Sequence, residues 1–180
     1  MLDSHILNMR FSTAMYADAD RIEAWREYFG RAICELDIEP LAGRDFQSNA
    51  VLRMLPGLGM ASGTCSGAHY WRPRRLLRND DLLFVVNHTG TDHADMLGRQ
   101  TIVGPGEAVL LTAGEIGGVT NKSGTRFTTF RVQRALLAPA LNNVEMAMVH
   151  PIPADNEALQ LLLNYISVLE DTVALADPDV

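Results

Sequence analysis

A chain of 180 residues, 47% apolar and of near-zero mean hydropathy, has the material for one domain with a sizeable core. Its net charge is -7, and the last 46 residues hold seven acids but no Lys or Arg, which excludes a duplex-binding role for the chain by itself because phosphate affinity comes from those cations. No apolar stretch approaches the roughly 18 residues that span a bilayer, and residues 1–10 lack the apolar run of a secretory leader, so the expected place is the cytoplasm, with no membrane partner. Cys34 and Cys65 stand far apart without a CxxC, which reads as two reduced, buried thiols.

In chain order, a helical region spans 12–36. Asp18 or Asp20 can cap it, and Ile22, Trp25, Phe29 and Ile33 follow at helical spacing, giving one apolar face to pack on what comes next. The stretch 50–133 is β. Leu58 to Ala68 is a Gly-rich strand, the mark of a barrel corner or of a close backbone approach. Arg72, Arg74, Arg75 and Arg78 read as a solvated, salt-bridged edge. Asp81 to His88 is a β-branched and aromatic run, with a turn at Thr89 to Asp92 and a return from Asp95 to Ile102 broken at Gly98.

Gly104-Pro105-Gly106 then forces a tight turn, because Pro presets φ and Gly supplies conformations that a side chain forbids. Ala108 to Leu111 is an apolar strand directly after it. Glu115 to Gly118 and Asn121 to Gly124 read as turns, and Thr125 to Val132 alternates as a half-buried strand does. Strands recur about every 8 to 12 residues, as in a sandwich or barrel. Helices occupy 134–176, the longer beginning near Asp155 after Pro151 and Pro153. It carries two apolar stripes, Leu159, Leu162, Ile166, Leu169 and Val173 on one face and Ala158, Leu161, Tyr165, Val168 and Leu175 on another; a helix lying on one surface needs only one.

Four segments carry a family resemblance. They are Phe11-Ser12-Thr13 with Asp20 to Glu27, Arg72 to Leu83, Pro105 to Leu111, and Arg131 to Ala138. Their order and spacing resemble the N-terminal effector-binding and dimerisation domain of AraC-family bacterial transcription regulators. The resemblance implies a mainly β fold with flanking helices, a cupin-like β-barrel (a double-stranded β-helix) followed by a C-terminal α-helical hairpin, in one regulatory domain over 1–180. It also implies a homodimer, a small-molecule effector and no cofactor. Family members reach DNA through two helix-turn-helix units, and nothing in this chain resembles them, so it is expected to be a fragment or a natural single-domain relative.

The candidate chemistry is sparse. Cupin enzymes hold a divalent metal through paired His residues, a carboxylate and a late His. Here a turn separates His88 from His93, Asp95 stands in for the carboxylate, and Glu115 to Val119 contains no His, so neither metal ligands nor catalytic residues are expected. Ser62, Thr64 and Ser66 lack a nucleophile elbow.

The expected effector site has apolar walls from Met60, Phe84 and Val86, an aromatic wall from Trp71 with Tyr70, and polar anchors from Asn87, His88 and Arg131, the last suited to a carboxylate. Leu159, Leu162, Ile166, Leu169 and Val173 are the expected dimer interface. Two readings compete: a cupin-type metal-dependent enzyme, and a dimerisation module without effector.

Overall fold

A computed structural model describes residues 7–41, 45–140 and 143–175, with side chains except at 7, 138 and 169–175. Strand β1 (Leu7–Ser12) leads into helix α1 (Arg21–Trp25), which continues as a π-helix over Arg26–Cys34. Trp25, Phe29 and Ile33 follow one another four residues apart, and the wider π-turn keeps that i+4 row on one side. All three are buried as the spacing predicts. Trp25 stacks on Phe29 with ring centroids 4.7 Å apart, and Phe11 of β1 on Tyr28 at 4.5 Å. Truncating such a residue as Trp25 to Ala costs about 3–5 kcal/mol.

Ten strands of barrel follow. They are β2 (Asp37–Pro40), β3 (Ser48–Leu55), β4 (Leu58–Cys65), β5 (Ala68–Arg72), β6 (Leu82–Thr89), β7 (Asp92–Met96), β8 (Arg99–Val103), β9 (Ala108–Thr112), β10 (Gly117–Asn121) and β11 (Thr125–Val132). After short helices α2 (Arg134–Leu137) and α3 (Val144–Ala147) come a two-residue strand β12 (Pro151–Ile152) and the long helix α4 (Glu157–Leu175). One sheet runs β1-β3-β4-β11-β6-β9-β12 and the other β2-β5-β10-β7-β8, each antiparallel in its pairings. The two face each other across one core to which both contribute, Leu52, Leu83 and Phe127 from the first and Ile38, Tyr70 and Met96 from the second. This is the two-sheet cupin-like barrel with flanking helices that the resemblance implies. The sheets also recruit β1 and β2, from before residue 50.

Turn chemistry is where the sequence reads well. Gly104 N donates to Glu107 Oε2 at 2.7 Å and Gly106 sits at φ 79°, so the Pro-Gly-Glu turn closes on its own carboxylate. Leu97 and Gly98, at φ 56° and 68°, make the consecutive left-handed pair that suits a two-residue hairpin between β7 and β8. One expected turn is instead a strand: Gly117 and Gly118 lie in β10, between β5 and β7. A Cβ on Gly118 would stand 1.9 Å from the Tyr70 carbonyl oxygen, so these glycines serve close strand approach, not chain reversal.

Arg72 needs a second correction. It is not on a solvated edge but fully buried, its guanidinium donating to the carbonyls of Glu35 (3.3 Å), Thr112 (2.8 Å) and Cys34. It thereby ties β5 to the end of the π-helix and to β9. Arg75 does behave as a surface partner, pairing with Asp37.

Candidate functional site

Between the sheets lies a lumen with a cavity of about 60 Å³. Phe29 and Cys34 close it from the π-helix, Leu83, Val85, Phe127 and Thr129 line it from one sheet, and Tyr70, Arg72, Asp92 and Asn121 from the other. Its walls are mostly apolar, so its polar groups stand out. Asn121 Nδ2 donates to Asp92 Oδ1 at 2.6 Å, and burial pushes the Asp92 carboxyl above the ordinary carboxylate range despite that bond. Burial likewise pushes the Cys34 thiol up to about 12 and the Cys65 thiol to about 11.

Tyr70 Oη and Trp25 Nε1 are both buried, and neither has a hydrogen-bond partner. Cys65 and Trp25 lie close to the phenol, but without hydrogen-bond geometry, and burial first of all raises the Tyr70 pKa far above 10.

The seven residues expected to form the effector site are divided by strand parity. In β6 the lumen takes Leu83 and Val85, so Phe84, Val86 and His88 point outward; in β4 and β11 Met60 and Phe130 do the same. Met60, Phe84 and Val86 therefore pack in a separate apolar cluster under α4, not in the lumen. His88 Nε2 meets Thr128 Oγ1 at 2.9 Å on that same outer face. Trp71 also faces away, half-buried, stacked on His69 at 5.5 Å.

Asn87 and Arg131 do belong to the inward parity, and each is matched within the chain. Asn87 Nδ2 donates to the carbonyls of Gly90 and Val103, both at 3.1 Å, and its Oδ1 accepts from Thr125 Oγ1 at 2.5 Å. Its backbone also docks the predicted turn, accepting from Gly106 N and donating to the Glu107 carbonyl. Arg131 Nε donates to Asp81 Oδ2 at 2.7 Å, Nη1 to the Ile33 carbonyl at 3.1 Å, and Nη2 lies 3.5 Å from Glu35. Tyr70, read from the sequence as an aromatic wall beside Trp71, is the one of that pair that lines the lumen, and the signal that sequence reasoning passed over is Asp92, taken for a turn residue.

His93 and Asp95 lie on β7 with alternate Asp92 and Ala94 turned inward, and Asp95 is exposed and bonded to Gln100. They do not converge with His88, which is on the other sheet. Among the described residues no three His, Cys, Asp or Glu side chains come together to hold a metal.

Helix α4 resolves its two stripes differently from the expected interface. Leu159 and Ile166 are buried against the chain's own sheet, with Leu162 and Leu163 partly buried beside them. They are core positions, covered without any partner. Leu161, Tyr165 and Val168 remain 72%, 61% and 62% exposed. The side chains of Leu169 and Val173 lie outside the described residues. No helix among the described residues is long and apolar enough to cross a membrane.

No curated protein sequence matches the chain significantly. Among solved structures it is similar to the AraC-like transcriptional activator CuxR, with TM-score 0.78 at 18% identity, over 93% of this chain and 62% of that one. The chain thus spans less than two thirds of that protein. It overlaps more loosely with the Clostridium difficile EutQ protein (TM-score 0.40, 13% identity, 51% of this chain and 71% of that one). A similar overlap is seen with an RmlC-like cupin from Shewanella frigidimarina (0.39, 14%, 58% and 86%). The model of the AraC-binding-like domain matches residues 25–180, most of the barrel and all of α4, and the chain belongs to that family.

Proposed function

We propose that this chain is the sensing and dimerising part of an AraC-type transcription regulator, without catalytic activity of its own. A small molecule held in the lumen alters how two copies pair through α4, and DNA contact belongs to a helix-turn-helix region outside the chain. The observation that carries the sensing role is Tyr70 Oη, a buried polar atom on a lumen-lining residue, without a hydrogen-bond partner. Buried polar groups left unmatched cost about 1–3 kcal/mol each, a cost that an acceptor on a ligand would remove.

The lumen's size bounds that ligand. About 60 Å³ is several times the roughly 10–15 Å³ that one water needs, yet below the ~300 Å³ of a drug-sized site. A compact effector with a hydrogen-bond acceptor fits this reading, entering past the π-helix that supplies Phe29 and Cys34.

Dimerisation is supported by the outward stripe of α4. Ala158, Leu161, Tyr165 and Val168 follow at 3-4-3 spacing, the interval of a coiled-coil seam, and all are exposed. Two measurements test the proposal. Light scattering should give a dimer at roughly tens of micromolar that dissociates in Leu161→Glu. A thermal-shift screen of small oxygen-bearing compounds should find stabilisers whose effect is lost in Tyr70→Phe. A monomeric wild-type chain, or a screen with no Tyr70-dependent compound, would remove the corresponding half.

A further inference from the structure

We propose that the lumen is built for a compact molecule carrying a primary ammonium and, a short chain away, one oxygen acceptor, with the ammonium held by Asp92 and the oxygen by Tyr70. This rests on the lumen being the effector site and adds the chemical class of its occupant.

Asp92 names the cation. It is 4% exposed and lies in the lumen wall, and among the described residues its one hydrogen bond comes from Asn121 Nδ2 to Oδ1. Asn121 is neutral, so the bond leaves the carboxylate charge unbalanced and Oδ2 without a donor among the described residues. No Lys, Arg or His among them forms an ion pair with it; His93, whose charge bears on it only through space, turns to the other face of β7. A buried carboxylate needs a cation in contact to stay charged at low cost, and an ammonium at Oδ2 supplies one. Burial raises this carboxyl, and an ammonium beside it acts in the opposite sense.

The rest of the lumen suits the same occupant. Tyr70 and Asp92 sit on β5 and β7 with β10 between them, Tyr70 opposite Val119 and Asp92 opposite Asn121. Two strand spacings across and two residues along put their Cα atoms about 12 Å apart, and both side chains line the space between. Burial first, then Cys65, and also the negative charge of Asp92 raise the Tyr70 phenol, so phenol and carboxylate share one region of the lumen. The unpartnered Tyr70 Oη has a proton to give to an oxygen acceptor. Phe29 meets the rings of Tyr70 and Phe127 edge to face, at 6.0 and 5.5 Å, and ring faces attract a cation where they repel an anion. Arg72, the other charged group of the wall, stands opposite Gly117, at the far end of β10 from Asn121, and three carbonyls hold its guanidinium. Its charge serves the π-helix end, not Asp92. The cavity of about 60 Å³ has room for roughly four to six waters, the bulk of a molecule such as 3-aminopropanol.

The test is titration of the chain at neutral pH with 3-aminopropanol, with propane-1,3-diol, which lacks the cation, and with propylamine, which lacks the oxygen, followed by the amide shifts of Gly118 and Val119 in the lumen wall. 3-Aminopropanol should bind once per chain, about ten-fold tighter than either comparator, the difference one charge-assisted hydrogen bond makes. Asp92→Asn, which keeps an acceptor for Asn121, should bring 3-aminopropanol down to the level of the diol and leave the diol unchanged. Tyr70→Phe should bring it down to the level of propylamine. An advantage over the diol that survives Asp92→Asn would overturn the proposal, as would the absence of saturable 3-aminopropanol binding. Diol binding that depends on Tyr70, with no gain from the ammonium, would overturn it too while leaving the lumen as a sensing site.

Discussion

Arg131 Nε donates to Asp81 Oδ2 at 2.7 Å, and this pair closes one end of the barrel with the chain's own charges. Glu35 and the Ile33 carbonyl complete the set, so the guanidinium joins β11, the start of β6 and the end of the π-helix. A cation so placed is first a structural tie. Arg131→Ala should lower stability by about 2–3 kcal/mol, since it strands the buried Asp81 carboxylate and a carbonyl. Chemical denaturation checks this; a change under about 0.5 kcal/mol would mark Arg131 as a surface cation.

The thiols give a second prediction. Burial holds Cys34 near 12 and Cys65 near 11, above the ordinary thiol value of 9.0, and both are buried, so thiolate and access are scarce together. At neutral pH both should react with a disulfide reagent only on unfolding, and both promptly in denaturant. Rapid labelling of either in the native chain would contradict the burial described.

Asp92 makes stability depend on pH in a definite direction. Its folded carboxyl lies above the ordinary 3.8, chiefly through burial, so the folded state keeps a proton that the unfolded chain has lost. Below 3.8 both states are protonated and no penalty exists; the penalty grows as pH rises through the raised folded value and is full above it. Asp92→Asn, which keeps an acceptor for Asn121, should therefore raise the melting temperature at neutral pH. Its advantage should shrink as pH falls toward 3.8, and an advantage that grows on acidification would reverse the assignment.

Gly118 tests the β10 assignment. Alanine there places a methyl 1.9 Å from the Tyr70 carbonyl oxygen and 3.0 Å from Trp71 Cα, both backbone atoms that cannot step aside. Gly118→Ala should cost about 3 kcal/mol or prevent folding. At Gly98, where a Cβ meets nothing within 4 Å and only φ 68° opposes it, the same change should cost about 1 kcal/mol. Equal effects would argue that β10 is a loose turn after all.

Local chemistry was legible wherever the cause is local. The Pro-Gly-Glu turn, the alternating strand at Thr125–Val132, the Trp25-Phe29-Ile33 row and the two stripes of α4 follow from φ preferences and side-chain period alone. What one period cannot reveal is which parity faces inward when both faces are apolar. Leu82 to Val86 is such a run, because the lumen covers one side of β6 and α4 the other, and only assembly shows that Phe84 and Val86 belong to the helix side. The same holds for α4 itself: two stripes were visible, but the sheet beneath it decided that Leu159 and Ile166 are core and Leu161, Tyr165 and Val168 are left exposed. Arg72 looked like one more surface cation, and only the folded chain brings three carbonyls from the π-helix end and β9 around it, the partners that make burying a guanidinium tolerable.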